Sequence, residues 1–168
     1  MKKQKKFTLV LLCIYLIVLT WIILLKMEFD FSLLGQMNLR SINLIPFAGS
    51  VIVNGQVDTS EIILNVVAFV PFGIYLSMLQ EEWSFGRKLI PIFCVSFGFE
   101  ILQFIFGIGA SDITDLIGNT LGGAIGIAIF GLLSIVFKEK TIPIFNTLAL
   151  IGTFFMVALL SLLTIVNM

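Results

Sequence analysis

The stretch DITDLIGNTLGGAIGIAIFGLLSIVF, residues 112–137, carries no charge after Asp115. A helix needs roughly 20 mostly apolar residues to cross about 30 Å of hydrocarbon, and the run from Asp115 to Phe137 is long enough. Its opening reads as a helix start. Asp112 is placed as an N-cap and Asp115 falls in the first turn, where the helix dipole favours negative charge. Gly118, Gly122 and Gly126 then recur every four residues, with Gly123 and Ala124 beside them. Such a small-residue stripe lets a second helix approach closely. Asn119 lies one turn below Asp115 on the same face, and no capping role explains it.

Outward from this stretch, four more runs meet the same length rule: Phe7 to Leu25, Glu61 to Leu79, Leu89 to about Gly107, and Ile142 to Val166. The sequence thus predicts an all-α membrane protein, a bundle of five transmembrane helices. Composition agrees. Hydrophobic residues make up 59% of the 168 residues and charged ones 12%, with a mean hydropathy of +1.13. A soluble domain needs more charge on its surface. The single like-charged block is Lys2, Lys3, Lys5 and Lys6, so nucleic acid is not expected as a partner. Cys13 and Cys94 sit in apolar runs and the chain has no histidine. No disulfide, zinc site or cofactor is expected.

The first run follows a basic segment, as a secretory signal does. It is too long for that role, and Lys26-Met27-Glu28-Phe29 offers no small-residue cleavage site. It reads as an uncleaved anchor. With the N-terminus in the cytoplasm, Arg87, Lys88, Lys138 and Lys140 join the N-terminal lysines inside, and Lys26 and Arg40 lie outside. The positive-inside rule selects this orientation and places the C-terminus outside. The one long connection, residues 26–60, is then external. It holds Asn43-Leu44-Ile45-Pro46-Phe47, an apolar run expected to dip toward the interface, and Asn54-Gly55, a turn signal.

Ionisable groups within spans face the bundle interior or a water-filled cavity. Glu100 lies about 17 Å along the third helix from Leu89, at 1.5 Å per residue, near mid-membrane. Gln103 shares its helical face and reads as interhelical glue. Asn65 follows Glu61 by one turn on the second helix, ahead of Pro71, which breaks a backbone bond there. In the chosen topology Asn43, Asn65, Glu100, Gln103, Asp112, Asp115 and Asn119 all fall toward the outer face. This predicts an acidic, amide-rich pocket open to the outside. Two short echoes suggest duplication: Glu61-x-x-x-Asn65 with Asp115-x-x-x-Asn119, and Ile90-Pro91-Ile92-Phe93 with Ile142-Pro143-Ile144-Phe145. Coincidence is the preferred reading, since the fifth helix has nothing to match Glu100 or Gln103.

At these residues the sequence resembles the VanZ-like membrane family. The resemblance runs from Asn43-Leu44-Ile45-Pro46-Phe47 through Asn65 and Phe69-Val70-Pro71-Phe72-Gly73. It continues through Glu100-Ile101-Leu102-Gln103 to the segment from Asp112 to Gly123. Many relatives place an arginine just before the first aspartate. Gly107-Ile108-Gly109-Ala110-Ser111 has none, so an arginine–aspartate pair is not carried over. The resemblance implies one VanZ-like integral membrane domain over residues 1–168 and a bacterial cell-envelope role in the plasma membrane. The family takes its name from a protein that lowers sensitivity to teicoplanin.

Three functional readings are in competition. The first is an envelope protein that binds a lipid or lipid-linked ligand, such as a cell-wall precursor or a lipoglycopeptide, at the outer leaflet. The second is an intramembrane enzyme acting on a lipid-linked substrate. There Glu100 is the candidate general acid or base, or Glu100, Asp112 and Asp115 hold Mg²⁺ or Ca²⁺. The third is a small transporter, which needs a homo-oligomer built through the glycine face, because the inner halves of the helices are too apolar to line a pore. Membrane lipids are partners in every case.

Overall fold

The computed structural model describes residues 2–24, 41–47, 52–53, 56–57 and 59–166. Lys26, Arg40 and the Asn54-Gly55 turn lie outside them. The helices are α1 (Lys2–Leu24), α2 (Ser60–Leu79), α3 (Phe85–Phe106), α4 (Ile113–Phe137) and α5 (Thr141–Val166), with a 3-10 turn at Lys138–Lys140 between the last two. Short strands β1 (Ile42–Asn43) and β4 (Ser111–Asp112) pair in parallel. Strands β2 (Ile52–Val53) and β3 (Gln56–Val57) pair antiparallel on either side of Asn54-Gly55.

Among the described residues, four helical stretches are long and apolar enough to cross a membrane: Lys3–Leu24, Ser60–Leu79, Phe85–Phe106 and Ile113–Leu162. The sequence reading counted five. The difference lies at Lys138–Lys140, where a short 3-10 turn follows α4 and leads directly into α5, so that the two predicted spans fall within one 50-residue stretch. Helices also begin earlier than their apolar runs. α3 starts at Phe85 rather than Leu89, because Gly86, Arg87 and Lys88 end the apolar signal without ending the helix. Glu100 is therefore six residues from the end of α3, about 9 Å along the axis, and nearer the helix end than mid-membrane.

The tightest packing joins α2 and α4. A Cβ at Gly122 would fall on the Val66 carbonyl oxygen, one at Gly126 on that of Val70, and one at Gly73 on that of Gly123. The backbones meet without side chains between them, as the glycine stripe predicted. Gly118 lies on the same seam but is less tightly packed against α2. A Cβ there would lie 3.7 Å from the Ile62 carbonyl oxygen, an ordinary contact. Gly123 also faces α3, where a Cβ would sit 2.6 Å from Ile92 Cδ1.

Aromatic rings fill the other side of α2. Tyr15 of α1 lies with its centroid 5.5 Å from Tyr75 and 6.4 Å from Phe72, and Phe69 meets Phe99 edge-on at 6.4 Å. Pro71 removes an N–H from the middle of α2. Beside that break the Tyr15 hydroxyl donates to the Ala68 carbonyl at 2.5 Å. α5 is held at its start by the Thr8 hydroxyl, which donates to Asn146 Oδ1 at 2.9 Å, and by Phe145 against Phe130. Further along, α1, α2 and α5 enclose an apolar cavity of ≈ 450 Å³ around Pro71. Cys13 and Cys94 face outward from the bundle.

Candidate functional site

Three segments converge at one end of the helices: residues 41–47, the last turns of α3, and the start of α4. α3 stops because Gly107 turns left-handed at φ 67°, with Ile108 N–H donating back to the Gln103 carbonyl at 3.1 Å. Glycine is favoured at this position because it lacks a Cβ. The chain then runs extended through β4, where Ser111 N–H donates to the Ser41 carbonyl at 2.9 Å.

Asp112 is the hub. Its Oδ1 accepts the Thr114 N–H at 2.7 Å, the expected N-cap. Its Oδ2 accepts from Asn43 Nδ2 at 3.0 Å. Its own N–H donates to Glu100 Oε2 at 2.8 Å, and the Ser111 hydroxyl donates to the Glu100 carbonyl at 2.6 Å. Glu100 is buried, with 6% of its surface exposed. A carboxyl this deep is costly unless hydrogen-bonded, and the N-cap backbone supplies a donor. The Asn43-to-Phe47 loop is tied to the same corner. Asn43 Oδ1 accepts the Ile45 N–H at 3.1 Å, and Thr114 Oγ1 accepts the Phe47 N–H at 2.9 Å. Phe47 adopts φ 65°, a conformation that a non-glycine residue seldom takes. Leu44, Ile45 and Phe47 point outward, well exposed.

An apolar-walled cavity of ≈ 360 Å³ opens beside this corner, between the loop and α3. Leu44, Phe97, Ile101, Phe104 and Leu116 form its walls, and Asn43, Glu100 and Asp112 lie at its edge.

The predicted pocket of seven polar residues is not formed. Asn65 Nδ2 donates to Asp115 Oδ1 at 2.8 Å, across the α2–α4 interface. Asn119 is fully buried and donates to the Ser96 hydroxyl of α3 at 2.9 Å. Gln103 turns away from Glu100 and donates to the Ile23 carbonyl of α1 at 3.0 Å, as a tie between helices. Glu61 is exposed. The reason is physical: a buried amide or carboxyl is costly without a hydrogen bond and takes a partner within its reach. For four of the seven that partner lies on a neighbouring helix. Nor do Glu100, Asp112 and Asp115 cluster. Among the described residues no three histidine, cysteine, aspartate or glutamate side chains come together to hold a metal ion.

Ser96, Ser111, Thr114 and Tyr15 complete the polar framework and were not singled out from sequence. The Asp-x-Thr spacing at Asp112 and Thr114 was a usable signal, since Ser and Thr beside a cap often serve local backbone groups. Ser96 and Tyr15 had none.

Helical apolar stretches of membrane-crossing length, with buried polar groups paired between helices, define a helical membrane protein. The chain belongs to the VanZ/LLP1 family, whose model matches residues 12–137. It is 36% identical over 150 residues to Protein VanZ of Enterococcus faecium, covering 89% of this chain and 88% of that protein. No solved structure matches it. The family match contains every residue of the Asp112 corner and ends with α4, leaving α5 outside.

Proposed function

We propose that this is a multi-pass cell-envelope protein of the bacterial plasma membrane that lowers sensitivity to the lipoglycopeptide teicoplanin. In this reading the Asp112 corner binds a lipid or lipid-linked ligand at the outer leaflet. The observation that carries it is Glu100, buried and bonded to the Asp112 N–H at 2.8 Å, beside a cavity walled by Leu44, Phe97, Ile101 and Phe104. Apolar walls suit an acyl chain, and carboxyl and amide groups at the edge suit a polar head. The exposed apolar side chains of Leu44, Ile45 and Phe47 support a loop that meets an apolar interface.

The topology belongs to the same proposal. The 50-residue stretch crosses twice, giving five spans, with the N-terminus inside and the C-terminus outside. Three features support this. Lys138 leaves helical geometry at φ 49° and ψ −122°. The Thr8–Asn146 bond sets the start of α5 beside the start of α1. Lys5, Arg87, Lys88, Lys138 and Lys140 then share the cytoplasmic side.

The test is expression in a glycopeptide-sensitive bacterium, comparing inhibitory concentrations of teicoplanin and vancomycin. The expected result is a rise for teicoplanin with little change for vancomycin. An unchanged teicoplanin value at confirmed expression contradicts the proposal.

A further inference from the structure

Helix α5 packs on α1 and stands off α2. The gap between them is the apolar cavity of ≈ 450 Å³ around Pro71. It follows α5 from Phe145 to Met156 and α2 from Ala68 to Met78, with Val18, Leu19 and Ile22 of α1 behind it. At 1.5 Å per residue its α5 side is about 16 Å long. The cavity is thus drawn out along the helices, with a mean cross-section of about 28 Å². Its flank on α5 is open. A Cβ at Gly152 meets nothing within 4 Å, and Leu148 is exposed.

Within a membrane the candidates for such a space are water, a further helix and a lipid chain. Water needs several polar partners there. Among the described residues the lining has no charged side chain. Its hydroxyls belong to Tyr15, Tyr75 and Thr153, and that of Tyr15 already donates to the Ala68 carbonyl. A helix with its side chains is about 10–12 Å across, too wide for this cross-section. A hydrocarbon chain fits both the shape and the polarity. A cavity of about 150 Å³ holds one benzene, and three times that volume takes about eighteen carbons. The long axis also runs with the helices, as acyl chains do in a bilayer. An empty groove would forfeit the dispersion contacts of its walls.

We propose that one acyl chain of a membrane phospholipid lies in this groove between α2 and α5. The chain takes the place of contacts that the two helices do not make with each other. The groove shares no lining residue with the cavity beside Asp112, so the proposal is independent of that corner.

The full chain would be purified in detergent with excess phosphatidylcholine carrying a diazirine on one acyl chain. After transfer to lipid-free detergent it would be irradiated, and its adducts mapped by peptide mass spectrometry. Retained lipid with adducts concentrated on residues 68–78 and 145–156 is the expected result. Gly152→Phe should cut retention about fivefold, the loss of roughly ten dispersion contacts. Gly152→Leu should cut it about twofold, by half as many contacts. Leu150→Phe, exposed and on the opposite side of α5, should leave it unchanged. The wild-type map requires no variant to fold. No retained lipid, or adducts spread evenly over the exposed helix faces, overturns the proposal. So do adducts confined to Phe97, Ile101 and Phe104, which mark the Asp112 cavity instead. Retention unchanged in both Gly152 variants overturns it as well.

Discussion

Helix α2 packs in two different ways on its two sides. Against α4 its backbone touches backbone at Val66, Val70 and Gly73, with no room for a Cβ on the facing glycines. Against α1 and α5 it meets rings and leaves a cavity of ≈ 450 Å³. In lipid no hydrophobic driving force pulls helices together, so close contact and interhelical hydrogen bonds must do so. The α2–α4 seam has both, with the Asn65–Asp115 bond at its upper end. The seam also fixes the start of α4, and with it the Asp112 corner. The α5 side can be loose without moving that corner.

The same substitution on the two sides should therefore give opposite results. Gly126→Leu drives a side chain into the Val70 carbonyl, and we expect a loss of about 3 kcal/mol or more, read as a large drop in unfolding midpoint in detergent. Gly152→Leu lies on the cavity side, where a Cβ meets nothing within 4 Å. It should change stability by less than about 1 kcal/mol, since leucine also raises helix propensity. Equal losses at both positions would break the comparison.

Polar ties rank next. Ser96→Ala leaves the fully buried Asn119 amide without its acceptor, at a cost of about 1–3 kcal/mol. Tyr15→Phe removes the hydroxyl bonded to Ala68 on the looser side and should cost about 1 kcal/mol. If Tyr15→Phe proves the more damaging, the Pro71 break depends on that hydroxyl more than the geometry implies. The smallest effect is expected at Gly118→Ala, within about 0.5 kcal/mol. Within one glycine stripe, that neutrality would separate the more loosely packed end of the seam at Gly118 from Gly122 and Gly126.

How much of this was legible in sequence follows from the same contrast. The membrane class, the Asp112 cap and the seam at Gly122 and Gly126 are local or strictly periodic signals, and each can be read from one segment. The polar partners are not local. Nothing near Asn119 names Ser96, and nothing near Gln103 names the Ile23 carbonyl. Sharing a depth made seven polar residues look like one pocket, whereas the way each helix is rotated sends four of them to three different helix interfaces. The span count differs for another reason: composition breaks the apolar run at Lys138–Lys140, whereas the backbone there is a single short 3-10 turn with no longer connection between α4 and α5.

The functional account depends on the Asp112 corner facing outward. The direct test is sidedness labelling in intact cells, with Cys13 and Cys94 replaced by alanine. Leu44→Cys, at the exposed loop, should react with a membrane-impermeant maleimide before permeabilisation, and Lys140→Cys should react only afterwards. The reverse pattern would put the corner in the cytoplasm and contradict an outer-leaflet site.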